Sequence, residues 1–248
     1  MRWLAAGLVC WTMAAACALA DTITVAGDPY PPFGDPKNPT GGLTIEIVRA
    51  AYKTQGHEIT MEFVPWARAE AGVKNGTYDI VPYTWRTEAR AKVLLFSTPY
   101  AVGNVRFMKR KGDPFDFTGL DSLTGKLVGT VRGYGYGDAF MNATHFTREP
   151  SNDLMTNVKK LLRKRVDLTL EDETVARALL STEDPKALEQ IEFVKTPLSV
   201  NPLYVTAGLQ NPKAQEIISA FNKGLEVIRA NGTLDRIMKR YGMEKVVQ

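Results

Sequence analysis

The residues best suited to chemistry in this sequence lie in the segment 83–90, Tyr-Thr-Trp-Arg-Thr-Glu-Ala-Arg. Thr87 suits a helix N-cap, because its hydroxyl can accept a hydrogen bond from an unpaired amide of the first turn. Arg90 then stands at the third helical position, where a cation opposes the helix dipole and a glutamate would complete a capping box. An arginine against this preference indicates another task, the bidentate binding of a carboxylate beside the free amides. The alternative is a salt bridge to a neighbouring aspartate or glutamate.

Two aromatic residues stand in proline-containing loops directly after predicted strands. Tyr30 lies in the run Asp28-Pro29-Tyr30-Pro31-Pro32-Phe33, whose prolines restrict the loop before any ligand binds. We interpret Tyr30 as a ligand-contacting residue and Phe33 as part of the core. Trp66 follows Pro65 and opens a predicted helix. Two interpretations of Trp66 remain open: it forms a wall of a binding site, or it is a half-buried structural residue.

Glycines and acids follow two later strands. The run Gly133-Tyr134-Gly135-Tyr136-Gly137 can bring backbone amides close to an anion, but it lacks the motifs of nucleotide sites. Glu171, Asp172 and Glu173 stand together after a predicted strand at 166–170. Neighbouring acids repel one another, so we expect at least one of them to meet a cation. A ligand ammonium as that cation and, for Asp172, the N-cap of the next helix are both open, and each can apply to a different acid.

The sequence carries no pattern of a metal site or of a nucleophilic catalyst. His57 and His145 stand far apart, and Cys10 and Cys17 both fall within the first twenty residues. No serine lies between glycines in a nucleophile motif. We therefore expect a binding protein without a metal, a cofactor or a catalytic residue.

The N-terminus has the layout of a secretory signal peptide. A positive Met1-Arg2 precedes an uncharged stretch that closes on Ala18-Leu19-Ala20. We predict cleavage after residue 20, a periplasmic mature chain without cysteine, and no membrane span in it. A lipoprotein acylated at Cys17 is the disfavoured alternative, because the segment lacks the usual leucine three residues earlier.

Charge argues against nucleic acid as a partner. The whole chain has a formal net charge of +4, and its dense basic run at 159–165 has apolar residues at helical spacing. We interpret that run as the solvated face of an amphipathic helix.

Short β-rich segments alternate with helical ones in two series. Predicted strands fall at 22–26, 59–63 and 78–82 in the first series, and at 105–108, 126–130, 166–170 and 191–195 in the second. Pro212 predicts the first helical position of a late helix. The alternation predicts two α/β lobes with mainly parallel sheets. Extended segments near 99–104 and 197–203 predict a paired hinge that lets the lobes close around a ligand.

Several segments together resemble the bacterial extracellular solute-binding proteins of family 3, the amino-acid-binding type. The matching segments are 28–33, 41–47, 75–79, 87–90 with 96–100, Val128-Gly129 and 231–234. The resemblance implies an α/β fold of type II, with two lobes joined by two crossing strands. It places residues 21–103 and 204–248 in the first lobe and 104–203 in the second.

The same resemblance implies roles for individual residues. Arg90 matches the arginine that binds the ligand α-carboxylate, and Asp172 matches the acid that accepts its α-ammonium. Tyr30 and Trp66 match aromatic walls, and Gly133 with Tyr134 matches the loop that supplies backbone amides and a side chain to the carboxylate.

One departure from the family pattern concerns the segment Tyr83-Thr84-Trp85, where amino-acid binders usually carry small residues, roughly Gly-x-Thr. Trp85 and Tyr83 could join Tyr30, Trp66 and Tyr134 in an aromatic cage. Such a cage with an acid suits a cationic or aromatic ligand.

These observations predict a monomeric periplasmic protein that captures a small amino-acid-like or cationic ligand for an ABC permease. An exported dehydratase of the cyclohexadienyl or arogenate type, with Glu171 or Glu173 as its acid, is the alternative. A ligand-sensing subunit of a membrane receptor is the third interpretation.

Overall fold

The computed structural model describes residues 22–243, so the predicted signal peptide with Cys10 and Cys17 lies outside the described residues. The first series of elements is β1 (Thr22–Gly27), α1 (Leu43–Lys53), β2 (Glu58–Phe63), α2 (Trp66–Lys74), β3 (Ile80–Trp85), α3 (Glu88–Ala91), β4 (Leu94–Phe96) and β5 (Ala101–Arg110). After a 3₁₀ turn at Leu120–Leu123 follow β6 (Leu127–Val131), α4 (Asp138–Asn142), β7 (Thr147–Ser151), α5 (Leu154–Leu162), β8 (Leu168–Asp172), α6 (Glu173–Glu183), α7 (Pro185–Leu188) and β9 (Ile191–Phe193). The chain then returns through β10 (Ser199–Gly208) to α8 (Ala214–Ala230) and α9 (Thr233–Arg240).

The strands form a two-lobed sheet in the order β2-β1-β3-β10-β5-β8-β6-β7. Strands β1 to β3 pair in parallel, as do β6, β7 and β8. The prediction of mainly parallel sheets is wrong at the centre, where β3, β10, β5 and β8 are antiparallel neighbours. There the long strands β5 and β10 pair with each other through residues 101–105 and 199–203 and run from one lobe into the other.

Local sequence explains where several helices begin. The Thr87 hydroxyl accepts a hydrogen bond from the Arg90 amide at 3.2 Å, as the sequence predicts for an N-cap. Asp153 and Asp172 cap α5 and α6 in the same way. The prediction for Pro212 is wrong, because α8 begins at Ala214 and Pro212 lies in the preceding turn.

Helix α8 packs against α1 at a glycine. The Tyr52 hydroxyl of α1 donates to the carbonyl oxygen of Ile217 in α8 at 3.2 Å, and Gly224 of α8 lies against Ala51. A Cβ at Gly224 would lie 2.1 Å from the carbonyl oxygen of Ala51. The two helix backbones therefore approach more closely than any larger residue permits. Among residues 22–243, no helix is long and apolar enough to cross a membrane.

We predict that Gly224→Ala destabilises the protein by about 1–3 kcal/mol through overpacking. At an unconstrained helix interior the same change would stabilise by roughly 0.5–1 kcal/mol, so the sign itself is diagnostic. Urea unfolding followed by circular dichroism measures the effect, with Val227→Ala on the exposed face of α8 as the control. A midpoint that rises in Gly224→Ala would contradict the close approach.

Candidate functional site

A small cavity lies where the lobes face each other, and its volume is about 10 Å³. Its lining consists of Asp28, Tyr30, Trp66, Tyr83, Trp85, Arg90, Tyr134 and Gly135. All but the last two belong to the first series of elements, and Tyr134 and Gly135 follow β6. The cavity thus collects the carboxyl ends of β1, β2, β3 and β6, the usual position of a ligand site in open α/β sheets.

Tyr134 fills the space between the aromatic residues of the first lobe. Its ring centroid lies 5.8 Å from that of Trp66, 5.7 Å from that of Trp85 and 6.4 Å from that of Tyr30, edge-on in each case. Its hydroxyl donates a hydrogen bond to Oδ2 of Asp28. One side chain of the second lobe therefore closes the aromatic cluster that the sequence predicts.

Tyr83 anchors the first loop of the cluster. Its ring stacks on that of Tyr30 at 5.5 Å, and its hydroxyl donates to the carbonyl oxygen of Asp28. A Cβ at Gly27 or at Gly34 would lie 2.4 or 2.6 Å from the Tyr83 hydroxyl oxygen. The glycines on both sides of the loop therefore make room for this ring.

Arg90 is engaged by protein groups through both terminal nitrogens of its guanidinium. Its Nη1 donates to the carbonyl oxygen of Trp85 at 2.9 Å, and its Nη2 donates to Oε2 of Glu70 at 3.0 Å. Nη2 also donates to the carbonyl oxygen of Gly133 at 2.9 Å, and the guanidinium lies 4.8 Å from the Trp66 ring centroid. With 5% of its surface exposed, Arg90 forms the salt bridge that the sequence left open as the alternative.

Glu70 of α2 binds both Arg90 and Trp66. It stands one turn after Trp66, and its Oε2 accepts from the Trp66 indole N–H at 2.9 Å. Lys74, one turn further, lies 2.6 Å from Oε1. Burial alone raises the pKa of Glu70, but the charges and hydrogen bonds of Arg90 and Lys74 hold it below its usual value.

Gly133 contributes its carbonyl oxygen, in contrast to the backbone amide that the family resemblance implies. That oxygen accepts from Arg90 and, at 3.0 Å, from the Trp66 indole N–H. The left-handed backbone at Gly133, with φ of 79°, turns the carbonyl toward the first lobe. The glycine loop therefore meets cations and N–H donors rather than an anion.

Three acids are buried at or beside the cavity. Burial raises the pKa of Asp28 to about 7 and that of Asp172 to about 6, and it raises the pKa of Glu171 well above its usual value. Oδ1 of Asp28 and the Tyr30 hydroxyl are buried without a hydrogen-bond partner among residues 22–243. The site therefore carries carboxyl groups that the described chain does not match with cations.

The roles that the sequence left open for residues 171–173 fall to different residues. Asp172 caps α6 by accepting from the amides of Thr174 and Val175 at 2.9 and 3.2 Å, and it does not line the cavity. Glu173 meets the expected cations, Arg106 and Arg177, each at 2.7 Å. Glu171 lines a larger adjoining cleft of about 530 Å³, which shares Asp28, Tyr30 and Tyr134 with the cavity.

Of the residues predicted for the site, the structure brings Tyr30, Trp66, Trp85, Arg90 and Tyr134 together around the cavity, with Gly133 in contact through its carbonyl. Sequence reasoning missed Asp28 and Glu70 as site acids. The spacing of Trp66 and Glu70 by four residues was the available signal, because it places both side chains on one helix face. Among residues 22–243, no group of three or more His, Cys, Asp or Glu side chains is placed to hold a metal ion.

Comparison with known proteins decides the family. The sequence profile of the bacterial extracellular solute-binding proteins, family 3, matches residues 23–244. This chain belongs to that family. It is 26% identical to the lysine/arginine/ornithine-binding periplasmic protein of Escherichia coli (strain K12), over 90% of this chain and 88% of the relative. It is 25% identical to the L-cystine-binding protein TcyJ of the same strain, over 86% of this chain and 79% of that protein.

Solved structures agree with the two-lobed fold. An ancestral arginine-binding protein bound to arginine superposes with a TM-score of 0.74 at 25% identity, over 88% of this chain and 97% of the other. A histidine kinase sensor domain similar to periplasmic binding proteins superposes with a TM-score of 0.79 at 19% identity, over 92% and 98%. The second likeness is one of fold alone. Structural neighbours of this kind place the chain among type II binding-protein folds.

We predict that the ligand-free protein loses stability as the pH rises from about 4 to 8. The pKa of Asp28 lies near 7 in the folded state, against 3.8 for an unperturbed aspartate, so the folded state binds more protons than the unfolded state in this window. The stabilisation is complete below the unfolded pKa and is lost as the pH rises through the folded one. Asp28 alone accounts for up to about 4 kcal/mol.

Urea unfolding of wild type and Asp28→Asn at pH 5 and pH 8 checks this expectation. The amide side chain cannot titrate, so the variant should lose much less stability between the two pH values. Asp121→Asn, at an exposed position, is the control and should behave as wild type. Equal pH dependence in wild type and Asp28→Asn would show that Asp28 titrates normally.

Proposed function

We propose that this protein captures a small solute that bears a protonated amine, amino-acid-like or simply cationic, between its two lobes in the periplasm and presents it to an ABC permease. The observation that carries the proposal is the presence of buried carboxyl groups inside an aromatic cluster. Asp28 lines the cavity beside Tyr30, Trp66 and Trp85. A cation among ring faces and carboxylates gains both cation–π and charge interactions in a place that water does not screen.

Proton release by the acids follows from the same idea. A buried carboxyl group without a neighbouring cation keeps its proton to a higher pH, because burial disfavours the charged form and so raises its pKa. An incoming ammonium supplies the missing charge and releases that proton from Asp28. The affinity for an amine should therefore rise between pH 5 and pH 8.

Lobe movement is needed for entry, because the cavity volume of about 10 Å³ compares with a single water rather than an amino acid. Tyr134 contacts Asp28 and the aromatic rings of the first lobe, and its withdrawal would open the cluster. The hinge that we propose lies near 99–104 and 197–203, at the paired stretch of β5 and β10. Hinged closure around a ligand is a common device of two-lobed binding proteins.

The relatives support an amine-bearing ligand and an ABC-type partner. Those named for lysine, arginine, ornithine or cystine bind compounds with at least one amino group. From these names we extend to this chain the amine and the periplasmic location. A monomeric state and the absence of enzymatic turnover are further parts of the proposal.

A thermal-shift screen of residues 21–248, stripped of carried-over ligand by unfolding and refolding, tests the proposal. Amino acids, diamines, quaternary amines and organic acids form the panel. A bound amine at 100 times its Kd should add about 2.7 kcal/mol, or roughly 5–10 °C in Tm. Asp28→Asn should abolish most of the shift and Asp121→Asn none of it. Stabilisation by organic acids alone, or by nothing in the panel, would contradict the proposal.

A second candidate function rests on Glu171. This side chain is 1% exposed, its pKa is raised by burial, and it lines the adjoining cleft. A general acid in a dehydratase needs such a proton at neutral pH. Incubation with prephenate or arogenate distinguishes the two: aromatic product formed by wild type and lost in Glu171→Gln would favour the enzyme, whereas no product would leave binding as the function.

A further inference from the structure

We propose that Glu70 makes the cavity between the lobes selective for organic cations that carry no carboxylate, over the corresponding α-amino acids. The inference rests on the proposed function, since it narrows the class of amine that the same cavity accepts. The compounds meant are primary alkyl- and arylalkylamines, diamines and alkylguanidines.

The donors of Arg90 that face the cluster are already in use. Both hydrogens of Nη2 are accounted for by Glu70 Oε2 at 3.0 Å and the Gly133 carbonyl oxygen at 2.9 Å. Nη1 donates to the Trp85 carbonyl oxygen, and the Trp66 ring covers the guanidinium. A ligand carboxylate seeking the usual bidentate contact would therefore have to displace Glu70, or replace the Gly133 carbonyl and share the guanidinium with the Glu70 carboxylate.

Displacement of Glu70 is unfavourable. Its side chain is only 12% exposed, and apart from Arg90 it has the Trp66 indole N–H and Lys74 as partners. Removing the guanidinium would leave a mostly buried carboxylate beside a second carboxylate from the ligand. A buried charge that loses its partner is strongly destabilising.

The remaining charges of the site favour a cation. Glu70 neutralises Arg90, which leaves Asp28 as the acid of the cavity lining. Asp28 is 9% exposed and Tyr30 4%, and Oδ1 of the first and the hydroxyl of the second are buried without a partner among the described residues. Oδ1 of Asp28 is an acceptor that an ammonium can satisfy, and the Tyr30 hydroxyl can accept from an ammonium as well as donate.

The cavity offers fewer partners to a ligand carboxylate than to a ligand ammonium. Within the described part of the chain, the unpartnered buried side-chain donors of the cavity lining are the Tyr30 hydroxyl and the indole N–H of Trp85. These neutral donors can bind a carbonyl or hydroxyl group, but they do not compensate a full negative charge. A zwitterion would therefore gain the contacts of its ammonium group, but its carboxylate would lose its hydration without gaining a cation.

Matched pairs of ligands test the proposal by isothermal titration calorimetry on residues 21–248 at pH 8. The pairs are agmatine and arginine, cadaverine and lysine, and 2-phenylethylamine and phenylalanine, which differ only by the α-carboxylate. In wild type, the amine of at least one pair should bind ten-fold or more tightly than its amino acid, and no pair should show the reverse order.

Glu70→Gln should shift this ratio by ten-fold or more toward the amino acid, because the uncompensated Arg90 then attracts the α-carboxylate. Glu70→Asp retains the charge and should keep the wild-type order, which covers the case in which Gln is not tolerated. Glu226→Gln, an exposed change on α8, is the matched control and should leave every ratio unchanged.

The outcomes separate the two proposals. Wild type that binds an amino acid as tightly as its amine or more tightly overturns the selectivity and leaves solute capture standing. A wild-type preference that persists in Glu70→Gln overturns the role of Glu70. Binding of no compound in any pair, with silence in the thermal-shift panel as well, overturns solute capture and the selectivity with it.

Discussion

The ion pair between Arg90 and Glu70 is the interaction on which the rest of the site depends. It joins α3 to α2, it presses the guanidinium onto Trp66, and through Nη2 it holds the Gly133 carbonyl of the second lobe. Once Glu70 has neutralised the arginine, the remaining carboxyl group of the cavity lining is that of Asp28. On the selectivity that we propose, the specificity of the cavity follows from a contact between two side chains of the same lobe, made before any ligand arrives.

The crossing strands bring this charge pattern into one place. Residues 101–105 of β5 pair with 199–203 of β10, and a Cβ at Gly103 would lie 2.6 Å from Asp172 Oδ2 and 3.8 Å from Trp85 Nε1. A glycine in the strand thus lets an acid of the second lobe approach a tryptophan of the first. Tyr134 of the second lobe also reaches Asp28 of the first, so the lobe closure that we propose would bury the acids at the same time.

Much of the local structure could be predicted from the sequence, because its causes are local. Periodicity located most strands and helices, and Thr87 with Arg90 at the third helical position was confirmed by the cap geometry. The spacing from Trp66 places Glu70 on the right face of α2, but its pairing with Arg90 was not predictable, since it depends on the packing of α2 on the sheet. The Gly133 carbonyl was misjudged for a similar reason: the residue type permits a positive φ but does not say which polar group then points inward. The antiparallel centre of the sheet depends on the return of β10 between the lobes, which no short pattern records.

A double-mutant cycle on Glu70 and Arg90 tests the central claim most directly. The free energy of unfolding would be measured in urea for wild type, Glu70→Gln, Arg90→Gln and the double variant, at low salt and at 0.5 M NaCl, about three times the physiological ionic strength. A buried pair predicts a favourable coupling of at least about 2 kcal/mol that persists at high salt. A coupling below about 0.5 kcal/mol, as for independent sites, would contradict it and return Arg90 to the ligand.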